Sequence, residues 1–257
     1  MRYPASDLAL AAATVLTRLR DKSPRVHCIT NAVAQNFTAN VLLALNCVPS
    51  MTLSAEEITD FVAGAQALLV NLGTFDAERR QATELAVNAA AERKIPWVLD
   101  PVFVDRSRPR ADFARALIGR GPNAVRLNRA EFLALANEEP SPDALAAFAQ
   151  RHKTVVGLSG PTDLIADAGR VAGIRNGHSL MSRVTAMGCA ASALTAACLA
   201  VEPDAFRAAA SALVIIGVAG ELAGAQAQGP GSFAAAILDT LDHLDAATLQ
   251  SRADVTA

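Results

Sequence analysis

Four short apolar runs, each closing on or just before a polar residue, constrain this chain more than any other feature. They are Ala67 to Val70 running into Asn71-Leu-Gly-Thr74, Trp97-Val-Leu-Asp100, Ala124 to Leu127 before Asn128, and Thr154 to Leu158 before Ser159. Runs of this length between turn signals read as strands buried on both faces. Helix signals separate them. Asp76 caps a long helix to Arg93, a helix runs from Asp112 to Ile118, another starts at Asn128, and a third at Ser141-Pro142, where proline suits the first helical position. Strands alternating with helices predict an α/β fold: a mainly parallel sheet covered by helices on both faces. Ligands of such sheets bind beyond the carboxyl ends of the strands. Asn71, Asp100, Arg126, Asn128 and Ser159 all fall at those ends.

The flanking segments extend the pattern. Ser6 to Arg20 reads as a capped helix and Arg25 to Thr30 as a strand. Asn31 to Leu45 is a helix with Val33, Phe37, Val41 and Leu45 on one stripe, and Val48 to Met51 is a short strand. Ser54-Ala-Glu-Glu57 is a capping box opening a helix to about Ala63. Leu164 to Ala166 and Arg170 to Ile174 form a hairpin around Asp167-Ala-Gly-Arg170. A long helix covers Asp204 to Gln226, and Gly229-Pro-Gly-Ser232 caps the last helix. With no repeat, linker or low-complexity stretch, residues 1–257 are expected to form a single domain.

Composition narrows the function classes. Lys and Arg number 23 against 25 Asp and Glu, for a net charge of −2, and no basic cluster points to nucleic acid. Any attraction for a charged substrate must therefore be local. Cys28, Cys47, Cys189 and Cys198 show neither Cys-x-x-Cys nor Cys/His ligand spacing, which disfavours structural zinc and a disulfide framework and fits a reducing cytoplasm. No apolar run is expected to reach the length of a membrane span. The dispersed histidines His27, His152, His178 and His243 receive no catalytic role, and there is no nucleophile elbow, P-loop or dinucleotide fingerprint.

One stretch stands apart. A β-friendly run from Ser182 to Thr185 stops at Ala186-Met187-Gly188, and Cys189 through Val201 carry no formal charge. Small residues on every face mark a helix buried all round. A buried helix start leaves amide groups without partners and favours an anion, so this turn can seat a phosphate, with Cys189 in the first turn where thiol pKa values fall. A loop entering a core helix also needs a glycine, and cysteine there is commonly a small hydrophobe. The local pattern alone favours core packing.

Other candidates are equally two-sided. Asp100 can hold Mg²⁺ or cap a loop. Asn128-Arg-Ala-Glu131 is a capping box as well as a possible acidic site. Arg126 can pair with phosphate or be a solvated edge charge. Their combination with His27-Cys-Ile-Thr-Asn31, Asn36-Phe-Thr-Ala-Asn40, Pro49-Ser-Met51 with Glu56-Glu57, Asn71-Leu-Gly-Thr74, Leu99-Asp-Pro-Val102, Asn176-Gly-His178, Arg183-Val-Thr185 with Gly188-Cys189, and Gly229-Pro-Gly-Ser-Phe233 decides the matter. In this order the segments resemble hydroxyethylthiazole kinase, of the ribokinase-like group with its three-layer fold.

The resemblance implies transfer of phosphate from ATP, with Mg²⁺, to the primary alcohol of 4-methyl-5-(2-hydroxyethyl)thiazole, a step of thiamine biosynthesis and salvage. It assigns Met51 and Ala186 to the thiazole, Arg126 and Ser159 to ATP, Asp100 and Glu131 to Mg²⁺ and phosphate, and Cys189 to the place of the usual catalytic aspartate. It also implies a homotrimer with sites between subunits. Four segments depart from the family pattern. Ala186-Met187 replaces Gly-Thr or Gly-Ala ahead of Gly188-Cys189, Phe103 replaces a glycine after Asp-Pro-Val, Asp105 and Arg106 replace small residues, and Leu127 replaces the glycine before Asn128. Ser159 stands for threonine and keeps the hydroxyl. These changes leave open a related kinase for another heteroaromatic alcohol, or a weakly catalytic binding relative. At Ala186 the expectation is a turn that no longer needs a positive φ.

Overall fold

The computed structural model describes residues 5–256, so both ends of the 1–257 span lie outside the described residues. The chain runs α1 (Ala5–Lys22), β1 (Arg25–Ile29), α2 (Gln35–Ala44), β2 (Val48–Ser50), α3 (Ile58–Ala63), β3 (Ala67–Asn71), α4 (Ala77–Arg93) and β4 (Trp97–Asp100). It continues α5 (Arg108–Ile118), β5 (Ala124–Asn128), α6 (Arg129–Ala136), α7 (Pro142–His152), β6 (Val155–Ser159), β7 (Asp163–Ala166) and β8 (Val171–Ile174). After a 3₁₀ turn (Ser179–Arg183) come α8 (Met187–Val201), α9 (Ala205–Gly224), α10 (Pro230–His243), α11 (Ala246–Arg252) and β9 (Val255–Thr256).

All strands join one nine-stranded sheet in the order β2-β1-β3-β4-β5-β6-β7-β8-β9. Pairing is parallel from β2 through β6 and antiparallel from β6 to β9. The alternation of side chains along each strand feeds two separate cores. Cys28, Leu69 and Val98 point into a layer with α1, α2, α8, α9 and α10. Ile29, Leu68, Val70, Trp97 and Leu99 point the other way, against a layer that includes Phe132 and Phe148. Strand order reverses direction at β1, between β2 and β3. A crevice therefore opens beyond the carboxyl ends of β1 and β3, the place where such sheets bind ligands.

Register then fixes the site. Asn71 lies beside Asp100 across β3 and β4, and Asn128 lies beside Ser159 across β5 and β6. The amino terminus of α8 meets these ends. All its residues except Gly188, Cys189 and Ala200 are buried, which is why its sequence is small and apolar on every face.

Several local expectations need correction. Ser182 to Thr185 is not a strand; residues 179–183 form the 3₁₀ turn, because His178 caps it through its Nδ1 atom, which accepts the Leu180 N–H at 3.2 Å. The Ser54 box does not form as read. Ser54 Oγ receives only the Glu56 N–H, and Thr52 takes the Glu57 carboxylate, so α3 starts later, at Ile58. Val33 is 76% exposed, because Asn31 to Ala34 make a turn before α2 instead of its first turn. Helix α5 starts a turn earlier than Asp112, with Pro109 in its first turn. The Gly229 segment opens α10, which is followed by α11 and β9. Finally, α9 is long and apolar enough by composition to cross a membrane, with mean hydropathy 1.6, but 78% of that window is buried within the protein. It is the core helix of the first layer.

Candidate active site

The site is built on a hydrogen-bonded chain across three elements. Asn71, at the end of β3, donates from Nδ2 to Asp100 Oδ2 at 2.7 Å and to Cys189 Sγ at 3.3 Å. Asn31, after β1, donates to the same sulfur at 3.2 Å and to Asn71 Oδ1 at 3.3 Å. Ser192, one turn along α8 from Gly188, donates to Asp100 Oδ2 at 2.8 Å. Gly73 is needed here for space. A Cβ on it would lie 2.6 Å from Asn31 Cβ and Nδ2. Nothing in the sequence assigned individual roles to Asn31, Asn71 and Ser192, although all three sit in segments singled out above.

At the start of α8 the Ala190 amide closes onto Ala186 O at 2.8 Å and the Met187 amide reaches Val184 O at 3.5 Å. The amides of Gly188 and Cys189 have no partner among the described residues. Two free N–H groups at the positive end of a 15-residue buried helix form an anion seat. Arg126 closes its flank, donating from Nη1 to Gly188 O at 3.2 Å, while its Nε is buried without a protein partner. A buried guanidinium N–H without a protein partner, on a side chain that lines both clefts, is a donor an anionic ligand would satisfy.

Two adjoining clefts share Arg126, Ser159, Met187 and Gly188. The larger, about 650 Å³, continues past Asp163, Asn176 and His178 toward α9. The smaller, about 310 Å³, is bounded by Asp100, Phe103, Glu131, Ala186 and Cys189. Of the residues expected at the site, Cys189, Ala186, Asp100, Glu131, Arg126 and Ser159 therefore meet. Met51 lines neither cleft; it follows edge strand β2 and packs on the first core layer. The Asn176-Gly-His178 motif shapes the back wall. Asn176 ties Glu221 to the backbone at Arg252 and Asp254, and His178 stacks on Phe233.

Burial governs the titrating groups. It pushes the Asp100 carboxyl above the usual carboxylate range, against the opposing pull of Arg126, Ser192 and Asn71. It raises Glu131 as well, with the Asp100 charge adding to the effect and hydrogen bonds from Asn128 and Phe103 opposing it. Asp163, beside Arg126, is also raised by burial. The Cys189 thiol is pushed up to about 11, first by burial and then by Asp100, despite its two amide donors. This corrects the expectation of a lowered thiol pKa at the helix start. Desolvation outweighs the helix end here.

Glu131 is fully the capping residue expected of Asn128-Arg-Ala-Glu131, its Oε2 accepting the Asn128 N–H at 2.9 Å. Its Oε1 also accepts the Phe103 N–H at 3.1 Å, so it anchors the loop after β4. Each of these oxygens keeps one further lone pair. Asp100 Oδ1 accepts no hydrogen bond among the described residues.

The departures at Ala186 and Phe103 have a common geometry. Ala186 is left-handed, with φ 72° and ψ 0°, and Phe103 has φ 62°. The expectation that the turn at Ala186 had given up its positive φ is therefore wrong. The backbone keeps the path a glycine would take, at a cost of roughly 1–2 kcal/mol per residue. Glycine costs about 0.4–1 kcal/mol through the unfolded chain, so Ala186→Gly should raise stability by the difference, about 1 kcal/mol. For a chain of this size that is roughly 2–4 °C in Tm. Thermal unfolding checks this; an unchanged or lowered Tm would show that the turn carries no strain.

An open α/β sheet whose strand ends meet a free helix N-terminus, two carboxylates and an arginine with one donor to spare has the architecture and groups of a ribokinase-like phosphoryl-transfer enzyme. The sequence profile of the hydroxyethylthiazole kinase family matches residues 16–247. The chain is 46% identical over 237 residues to a probable hydroxyethylthiazole kinase of Agrobacterium fabrum, covering 92% of this chain and 91% of that one. It superposes with TM-score 0.92 and 35% identity on hydroxyethylthiazole kinase protein from Pyrococcus horikoshii, covering 95% and 98% of the two chains. A ribokinase-like superfamily protein of Enterococcus faecalis, 14% identical with TM-score 0.68 over 95% and 96% of the two chains, shares the fold. The chain belongs to the hydroxyethylthiazole kinase family.

Proposed function

We propose that this protein transfers the terminal phosphate of ATP to the primary alcohol of 4-methyl-5-(2-hydroxyethyl)thiazole, a step of thiamine biosynthesis and salvage. The unpartnered Gly188 and Cys189 amides, set between Arg126 and the Asp100 chain, carry this reading. They are placed to hold charge on the transferring group, and a loose transition state needs little else than positioning and charge stabilisation. Arg126 and Ser159 bind the nucleotide along the larger cleft, and Ala186 and Met187 bound the acceptor end of the smaller one.

The donor set fits Mg²⁺. Asp100 offers a free carboxylate oxygen, Glu131 offers the remaining lone pairs of its carboxylate, and the ion binds typically through one or two carboxylates plus substrate phosphates. The mutual repulsion of Asp100 and Glu131 is what a divalent cation would relieve. When bound, the ion neutralises charge on the phosphates. Met51 contributes to the thiazole site through assembly as a homotrimer, in which a neighbouring subunit completes the crevice at edge strand β2. The chain acts as one domain in a reducing cytoplasm, in keeping with four free cysteines.

Cys189 orients the acceptor hydroxyl; with its pKa pushed up to about 11 the thiol is mostly protonated at neutral pH, so the hydroxyl's proton is taken late and only by the thiolate form. General-base help is worth about 10²–10⁴-fold, and a loose transition state places this case at the lower end. Cys189→Ala should thus lower kcat about 10²-fold and leave the KM for ATP unchanged. An ADP-release assay with the thiazole alcohol tests both the activity and the variant. No alcohol-dependent ADP release from the native protein would refute the proposed function; full turnover by Cys189→Ala would remove the thiol from it.

A further inference from the structure

Asn71 uses all of its hydrogen-bonding capacity inside the site. Its amide nitrogen has two hydrogens, given to Asp100 Oδ2 at 2.7 Å and Cys189 Sγ at 3.3 Å. Its carbonyl oxygen has two lone pairs, which receive the Gly73 N–H at 3.0 Å and the Asn31 amide at 3.3 Å. The side chain is 1% exposed, so every one of these bonds is made away from water. A buried amide satisfied on all four counts is held in one orientation, since any flip would set donor against donor at Gly73 and acceptor against acceptor at Asp100.

The two groups that Asn71 donates to belong to opposite halves of the reaction. Asp100 is the carboxylate proposed for the cation, and Cys189 is the group proposed for the acceptor alcohol. They reach the crevice on different elements, β4 and α8, and Asn71 on β3 bridges them. Asp100 Oδ2 takes the Asn71 and Ser192 donors, which leaves Oδ1 turned free toward the smaller cleft. We infer that Asn71 is a positioning residue that sets the cation-side carboxylate and the acceptor-side thiol in one register. This rests on the kinase reading above. Ser192 shares the first half of the task only, because it reaches Asp100 and the Gly188 carbonyl but not the sulfur.

The division of bonds predicts a pattern that packing alone would not produce. Groups orienting a metal ligand are typically worth 10–100-fold in metal affinity or activity. Asn71→Ala should weaken Mg²⁺ binding to the protein loaded with a non-hydrolysable ATP analogue by roughly 10-fold, read by calorimetry, and lower kcat at saturating Mg²⁺ by about 10²-fold. Ser192→Ala should weaken Mg²⁺ alone, and Cys189→Ala should lower kcat alone. The Asn71→Ala and Cys189→Ala effects on kcat should be strongly non-additive, because the two residues act on the acceptor as a unit. KM for ATP at saturating Mg²⁺ should stay level in all of them.

Asn71→Leu guards against loss of fold. It is close in size and adds no charge, so a cooperative, native-like unfolding transition read by circular dichroism should persist while its kcat falls as far as that of Asn71→Ala. Native-like kcat in Asn71→Leu, unchanged Mg²⁺ affinity in a folded Asn71→Ala, or additive effects with Cys189→Ala would each overturn the inference. Those results require an active native enzyme. Absence of kinase activity in the native protein would instead reject the function it rests on, and the Mg²⁺ titration is still read without turnover.

Discussion

Replacing Asp100 by Asn should remove most phosphoryl transfer while making the fold more stable. Asn is the same size and still accepts from Asn71 and Ser192, so the hydrogen bonds at Oδ2 survive. What is lost is the charge that holds the cation. Such charge stabilisation is worth several kcal/mol, and about 4 kcal/mol corresponds to a loss of roughly 10³ in kcat/KM. Stability moves the other way. Burial raises the folded-state pKa of Asp100 above its unfolded value, so its favourable contribution is complete in acid and is lost as pH rises through the folded value. At neutral pH without metal the carboxylate is a penalty that Asn does not carry. Thermal unfolding of metal-free protein should show a higher Tm for Asp100→Asn at neutral pH and a shrinking difference toward acid. Retained activity, or a Tm below native at neutral pH, would contradict this account of Asp100.

Arg126→Met should be comparably severe, lowering kcat/KM by about 10³ and weakening nucleotide binding. An arginine set against transferring phosphate is worth 10³–10⁵ in phosphotransferases, and the lower end applies where helix amides share the charge. Methionine preserves the stem, so the effect reads the guanidinium. Three carboxyls depend on it, since Arg126 is the cation pulling Asp100, Glu131 and Asp163 downward. Arg126→Lys should recover less than a tenth of the lost activity, because a single ammonium cannot hold the Gly188 carbonyl and also offer the in-plane Nε–H to a ligand. Calorimetry with ATP and the coupled assay measure the two effects. Native nucleotide affinity in Arg126→Met would return this arginine to the role of a solvated strand-edge charge.

Much of the fold was legible because the parallel strands are apolar on both faces and their polar ends coincide with the crevice. Asn71, Asp100 and Ser159 could be placed at strand ends from the sequence for that reason. The edges were less legible. The short β9 pairs through backbone bonds that its sequence does not advertise, and the β-friendly run from Ser182 to Thr185 begins inside the 3₁₀ turn that the His178 cap sets. The site divided in the same way. Glu131 looked like either a cap or a ligand, and the fold shows the cap, with one oxygen closing it and the other holding the Phe103 N–H. Ala186 could not be read from residue type. Alanine announces an ordinary φ, while the surrounding turn imposes a left-handed one. The Cys189 thiol was misread because the sequence shows the helix end but not the burial that outweighs it.

The central claim is that phosphate goes from ATP to the alcohol. Phosphorus NMR of native protein with Mg²⁺, ATP and 4-methyl-5-(2-hydroxyethyl)thiazole tests it directly. The account predicts that ADP and a phosphate monoester of the thiazole alcohol accumulate in equal amounts, with no ester in the absence of the alcohol. ADP accompanied only by inorganic phosphate, or no change in a protein that calorimetry shows to bind both substrates, would contradict it.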